Sequence, residues 1–293
     1  MSLFFFKIYI FSFKLVPMWL LYRYSDILSF LMYHVISYRK KVVFDNLKNS
    51  FPEKSEKEIK KIARKFYRNL SDMILEGIKG FTISKKNVMK RNKVMEVELT
   101  KKLYDQNKNI IFAAGHAGNW EWGARTSPYQ LYHKSIVLYK PLKNKKIDAY
   151  LRKLRTMDNL GLYPIKSTAR AFLNNDKPFS VVMLGDQNPS NRGKAIWVKF
   201  LNQPTACLHG IEVYAKKFDI PVIFAEFRRV KRGYYETYFE IITENPRELE
   251  DGQITKIFMN KLEEKIIKQP EIWLWSHKRW KHKFNPEKET IIE

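Results

Sequence analysis

From residue 3 to residue 38 the chain is almost continuously apolar and aromatic, from Leu3-Phe4-Phe5-Phe6 through Trp19-Leu20-Leu21 to Phe30-Leu31-Met32. Its charges there are Lys7, Lys14, Arg23 and Asp26. A clean membrane span needs roughly 20 mostly uncharged residues. Lys7 and Lys14, a heptad apart, share one helix face, and Arg23 is spaced to pair with Asp26. The pattern predicts a helix lying in a membrane interface, or a span whose lysines snorkel. A helix buried in a soluble core is the alternative. No basic segment precedes the apolar run and no small-residue cleavage site follows it, so a cleaved signal peptide is not expected.

After Tyr38-Arg39-Lys40-Lys41 the rhythm changes. Ser55-x-x-Glu58 is a capping box, and Ile59, Ile62, Ala63, Phe66, Tyr67, Leu70, Met73 and Ile74 trace a stripe of period 3.6, closing near Gly77 or Gly80. Short runs downstream read as buried strands: Ile110 to Ala114, Ser135 to Tyr139, Phe179 to Leu184 and Pro221 to Phe227, with Tyr234 to Ile242 alternating as an antiparallel partner. Helices are expected from about Lys146 to Met157, from His209 to Phe218, and from Asp251 through Ile254, Ile257, Phe258, Leu262 and Ile266. The predicted fold is α/β: a mixed, mostly parallel central sheet flanked by helices, behind an N-terminal membrane-associated helical segment. The expected division is residues 1–38 as anchor and residues 39–293 as catalytic domain.

Charge narrows the partners. Lys plus Arg outnumber Asp plus Glu by 54 to 30, a net charge of +24. Such a surplus favours an anionic partner: nucleic acid, anionic lipid or an acidic carrier protein. The aromatic side chains concentrate at the two ends, which suits a membrane interface better than a nucleic-acid groove. No helix-turn-helix or RNP-type pattern appears, so no nucleic-acid partner is expected. Cys207 is the only cysteine, which excludes an intrachain disulfide. Arg-Lys-Lys directly after an apolar anchor reads as positive-inside and places the rest of the chain in the cytoplasm.

The chemistry sits in Gly115-His116-Ala117-Gly118-Asn119-Trp120-Glu121, where the strand of Ile110 to Ala114 ends and a helix begins. Small neighbours leave the imidazole of His116 open to close approach. Glu121, in the first turn of the next helix, is spaced to fold back onto the ring, fixing its tautomer and preparing it as a general base. Arg155 and Arg170 are candidates for an anion site that holds phosphate, because the guanidinium fork binds phosphate bidentately; a solvated charged face is the alternative. Asp186 and Gln187 follow the strand ending at Leu184, on the side where ligands bind in open α/β sheets. There is no Walker loop, no GxGxxG, no HExxH and no Gly-x-Ser-x-Gly, and no histidine shows metal-ligand spacing.

His116-x4-Glu121 within His-Ala-Gly-Asn-Trp-Glu resembles the signature of the late lipid A biosynthesis acyltransferases, inner-membrane enzymes related to the glycerolipid acyltransferases. Further blocks stand in order: Arg39…Asn46-Leu47…Phe51-Pro52, Tyr139-Lys140-Pro141-Leu142-Lys143-Asn144, Asp186-Gln187, and Trp273-Leu274-Trp275-x-His277-x-Arg279-Trp280-Lys281. Asn202 stands where the family usually shows glycine. The last block reads as an aromatic and basic cluster able to sit at headgroup level. The resemblance implies His116 and Glu121 as catalytic residues, with Asn119, Arg155, Arg170, Asp186 and Gln187 as substrate-binding candidates. It implies acyl transfer from a thioester, acyl carrier protein or CoA, to a hydroxyl of a lipid A precursor, without metal or other cofactor. The implied site of action is the cytoplasmic face of the inner membrane, among anionic lipids and a glycolipid acceptor. An aminolipid or glycerol-based acceptor remains the alternative.

Overall fold

The structure, a computed structural model, describes residues 2–156, 160–173, 175 and 177–292. The helix α1 (Leu3–Leu15) is followed by α2 (Met18–Phe30), which continues as one π-helical turn over Leu31–Val35. Then come α3 (Lys40–Ser50), α4 (Glu56–Gly80), α5 (Lys85–Arg91), β1 (Asn92–Val94), α6 (Val97–Asp105) and β2 (Ile110–Ala114). The middle of the chain adds α7 (Trp120–Gln130), β3 (Lys134–Tyr139), α8 (Lys145–Thr156), β4 (Gly161–Pro164), α9 (Thr168–Leu173) and β5 (Phe179–Leu184). A hairpin of β6 (Ile196–Phe200) and β7 (Gln203–Cys207) leads to α10 (Gly210–Phe218), β8 (Val222–Lys231), β9 (Tyr234–Thr243) and α11 (Gln253–Lys268). The helix expected to reach Met157 is α8; Met157 itself lies outside the described residues.

The main sheet has the order β1-β9-β8-β2-β5-β3-β4. The strands β8, β2, β5, β3 and β4 run parallel, and β9 turns back against β8. This is the expected mostly parallel sheet, flanked by helices. All five residues of β2 are buried, which fits a central strand covered on both faces. The capping box of α4 forms as its spacing predicts: Ser55 Oγ accepts from Glu58 N, and the Glu58 carboxylate accepts from Ser55 N at 2.9 Å. Such a cap contributes about 1 kcal/mol. In the β6–β7 turn Leu201 and Asn202 both have positive φ, 48° and 64°. Asparagine tolerates that conformation better than other non-glycine residues, so the hairpin keeps its shape without the glycine.

Among the described residues no single helix is long and apolar enough to cross a membrane. The helices α1 and α2 with its π turn pass that test together, but they are bent by 118° at their junction. The bend falls at Pro17, which has no N–H to continue α1, and Val16 before it is extended. Lys79, buried near the end of α4, donates to the carbonyls of Phe13 and Val16, at 2.5 and 2.8 Å, and so satisfies the open end of α1. The helix α2 lies along α4, where Ser25 Oγ donates to Asp72 at 2.6 Å. Asp26 does not pair with Arg23 as its spacing suggested; it takes Arg232 at 2.7 Å and Arg68 at 3.2 Å. A guanidinium from the β8–β9 turn and one from α4 outcompete the neighbour on the same helix.

The C-terminal aromatic block also differs from expectation. Trp273 is 2 % exposed, Trp275 0 % and Arg279 1 %, so the cluster is core and not a headgroup surface. Asn46 Nδ2 donates to the carbonyls of Trp275 and His277, and Arg39 Nη1 donates to that of Ser276. The first and last sequence blocks thus form one structural unit beneath the site.

Candidate active site

Sheet order builds the site. β2 and β5 are paired neighbours in register Ala114↔Leu184, and Gly185 N donates to Ala114 O at 3.0 Å. Two residues beyond that pair, His116 and Asp186 face each other across the carboxyl ends of the strands. His116 Nδ1 lies 2.5 Å from Asp186 Oδ1, and His116 N donates to Asp186 Oδ2 at 2.8 Å. Trp273 Nε1 donates to the same oxygen at 2.8 Å. The next turn is pinned to the C-terminal loop, because Gly118 N donates to Ile272 O at 3.3 Å. Gly118 has φ +63°, and a Cβ there would stand 2.0 Å from Phe227 O, so no other residue fits.

The electrostatics derive from that geometry. Asp186 is fully buried with three donors directed at its two oxygens. Burial opposes its charge, but the imidazole of His116 and the donors outweigh it and hold the carboxyl down at about 2. It is therefore a carboxylate at neutral pH, which puts the imidazole proton on Nδ1 and the lone pair on Nε2. For His116 burial likewise opposes charge. The Asp186 carboxylate overcomes this, with a smaller push from Glu121, and the pKa is raised above the ordinary imidazole value. Gln187 Nε2 stands 3.2 Å from His116 Nε2, and the Trp120 ring meets the imidazole edge-on at 5.0 Å between centroids.

Nε2 opens onto a cavity of about 790 Å³. Glu121, Arg152, Arg155 and Lys140 supply charge to its wall from α7, α8 and the β3–α8 loop. The carboxyl ends of β3 and β5, with Leu160, Ile211 and Tyr214, supply an apolar wall. A long alkyl chain fits such a lining, each buried methylene contributing about 0.8 kcal/mol. Among the described residues no group of three or more His, Cys, Asp or Glu side chains is placed to hold a metal.

The candidates from sequence separate into three groups. His116, Asp186 and Gln187 converge, and Glu121 and Arg155 stand beside them on the cavity wall. Glu121 is not the hydrogen-bond partner of the imidazole: its carboxylate takes Arg155 Nη2 at 3.0 Å, and Asp186 holds the ring instead. Arg170 is exposed on α9 and does not line the cavity. Asn119 is 3 % exposed and faces away from substrate space, with Oδ1 capping α7 at Trp122 N (3.0 Å) and Nδ2 donating to Glu76 Oε2 (2.7 Å). Sequence reasoning missed Trp273 as an Asp186 donor and Glu76 as a buried anchor. Trp273 carries a signal, since it opens a distinctive aromatic motif, but the motif does not name its partner. Glu76 lies on a helix whose apolar stripe speaks only of packing.

A central histidine–carboxylate pair at the strand ends of an α/β sheet, opening on a charged and apolar cavity, is a site that can act as a general base beside a long apolar chain. The sequence model of the bacterial lipid A biosynthesis acyltransferases matches residues 1–282, and the chain belongs to that family. It is similar to the lipid A biosynthesis lauroyltransferase of Escherichia coli strain K12, 24 % identical over 267 residues, which covers 91 % of this chain and 87 % of that protein. The palmitoleoyltransferase of the same strain is 23 % identical over 249 residues, 83 % of this chain and 79 % of its own. The lipid A biosynthesis acyltransferase of Haemophilus influenzae strain Rd is 26 % identical over 242 residues, 80 % of this chain and 75 % of its own.

Proposed function

We propose that this protein transfers a fatty acyl chain from a thioester, with acyl carrier protein as donor, to a hydroxyl of a lipid A precursor at the cytoplasmic face of the inner membrane. The observation that carries the reading is His116, its Nδ1 held by a buried carboxylate and its Nε2 facing the cavity. Nε2 takes the proton of the acceptor hydroxyl. The oxygen attacks the thioester carbonyl carbon, the C–S bond breaks, and the imidazolium returns its proton to the leaving thiolate. Asp186 stabilises the imidazolium throughout. We assign Gln187, 3.2 Å from Nε2, and Arg155, on the cavity wall, as the donors to the charge that develops on the carbonyl oxygen. No acyl-enzyme is needed.

Seating at a membrane is supported by α1 and α2, which expose Phe4, Phe5, Ile8, Phe11, Leu15 and Trp19 on one continuous stretch of chain. The cationic wall at Arg152 and Arg155 supports a phosphorylated acceptor.

The test is lipid mass spectrometry on a strain lacking the gene, joined to an assay of purified protein with acyl carrier thioester. Lipid A short of one acyl chain, restored by wild type, is expected. His116→Ala should restore nothing and turn over roughly 10²–10⁴-fold more slowly. An aminolipid or glycerolipid as the deficient species would replace the acceptor, and a fully active His116→Ala would overturn the mechanism.

A further inference from the structure

Among the described residues three fully buried carboxyl groups are not used by the chemistry above: Asp72 and Glu76, one turn apart on α4, and Glu212, whose oxygens accept from Gly252 N, Thr255 N and Thr255 Oγ1 at the start of α11. Asp72 is neutralised by Arg229 at 2.6 Å and Arg232 at 2.7 Å. Glu76 is placed differently. Its Oε1 accepts from the Tyr22 hydroxyl at 2.8 Å, and its Oε2 accepts from the Tyr235 hydroxyl and from Asn119 Nδ2, each at 2.7 Å. One carboxyl group thereby joins α2, β9 and the start of α7. A buried carboxylate costs several kcal/mol unless its neighbours satisfy it, so a site with only a packing role is better filled by an apolar side chain.

The Asn119 amide is the link toward the chemistry. It cannot turn over, because a flip would set its nitrogen, a donor, against Trp122 N, another donor. With the amide held, the first turn of α7 is held, and that turn carries Trp120 against the His116 ring and Glu121 on the cavity wall. We propose that Glu76, acting through Asn119, is a positioning residue that sets the first turn of α7 against the His116 imidazole, with Tyr22 tying the same carboxyl group to α2. The proposal rests on the acyltransferase reading for its kinetic readout only.

The experiment compares Asn119→Ser, Asn119→Asp, Glu76→Gln and the double variant Glu76→Gln/Asn119→Asp. Serine keeps the helix cap and loses the amide donor to Glu76. Aspartate keeps the cap but replaces the donor to Glu76 with a second carboxyl group. In the double variant the glutamine amide donates to the new aspartate, and the two tyrosine hydroxyls rotate to suit. Rates are taken per folded molecule, and the His116 imidazole is followed by NMR. Asn119→Ser should lower kcat roughly 10- to 100-fold with KM little changed, the scale expected when a reacting group is displaced. Its imidazole resonance should shift. Asn119→Asp should be worse, and the double variant should recover to the level of Glu76→Gln alone. Wild-type kcat and an unmoved imidazole signal in Asn119→Ser overturn the proposal, as does a double variant no better than Asn119→Asp. Should Asn119→Asp not fold, Asn119→Ser decides. An inactive wild type counts against the acyltransferase reading alone, and the imidazole resonance then decides this one.

Discussion

At the scale of single residues, Asp186 and Glu121 divide what sequence spacing assigned to one of them. Glu121 is five positions from His116, in the first turn of the helix that follows it, so local spacing favoured it. Asp186 is distant in sequence and becomes a neighbour only because β5 inserts beside β2. Local spacing contains no information about strand order, which is why Asp186 was legible as a site residue but not as the partner of the imidazole. The two carboxylates separate by pH. In the proposed mechanism the base works with a neutral ring, so activity should fall as pH drops through the His116 pKa, which Asp186 holds up. Asp186→Asn removes the larger support. The acid limb of kcat/KM should then move to lower pH, while the plateau falls by roughly 10²–10⁴-fold because the ring loses its orienting partner. Glu121→Gln removes only a charge at a distance and should move the limb in the same direction but less. A pH–rate profile in which Glu121→Gln shifts the limb more than Asp186→Asn would return the imidazole to Glu121.

At the scale of elements, the strongly periodic segments were legible and the short ones were not. The stripe of α4 and the run of β2 announce themselves, because the burial they need is written into their side chains. α5, β1, β4 and α9 are too short to show a period, and their conformations are settled by their packing neighbours. The N-terminal helices stand between these cases: their apolar character was plain and Pro17 marks the break, but the docking of that break depends on Lys79, more than 60 residues away, reaching the carbonyls at the end of α1. If α1 and α2 supply the apolar contact with lipid, a protein beginning near Arg39 should lose most liposome binding in flotation. It should also lose stability, since Asp72 would keep its two arginines while Arg232 lost Asp26. Equal flotation of the two proteins would move the membrane contact elsewhere. The buried C-terminal tryptophans are no substitute, for they hold the site from below.

At the scale of the whole molecule, the proposed function gives the net charge of +24 two uses that salt would distinguish. Lys143, Lys145 and Lys146 are exposed beside Lys140, which lines the cavity mouth, and together they form a cationic approach to it. Charges of this kind steer an anionic partner, raise its association rate, and are screened beyond about 8–10 Å at physiological salt. Arg155 sits on the cavity wall already paired with Glu121, so an anion must reach it at close range in a partly desolvated place. A phosphate bound there through the guanidinium fork would resist screening. Replacing Lys143, Lys145 and Lys146 by alanine should therefore lower kcat/KM at low ionic strength, with the difference from wild type closing as salt rises. Arg155→Lys keeps the charge and loses the fork, and its defect should persist at every salt concentration. Kinetics over an ionic-strength series, with donor and acceptor varied in turn, show which partner each group serves. An Arg155→Lys defect that fades with salt would make Arg155 one more charge of the approach, and the anion site would then have to be sought at Arg152.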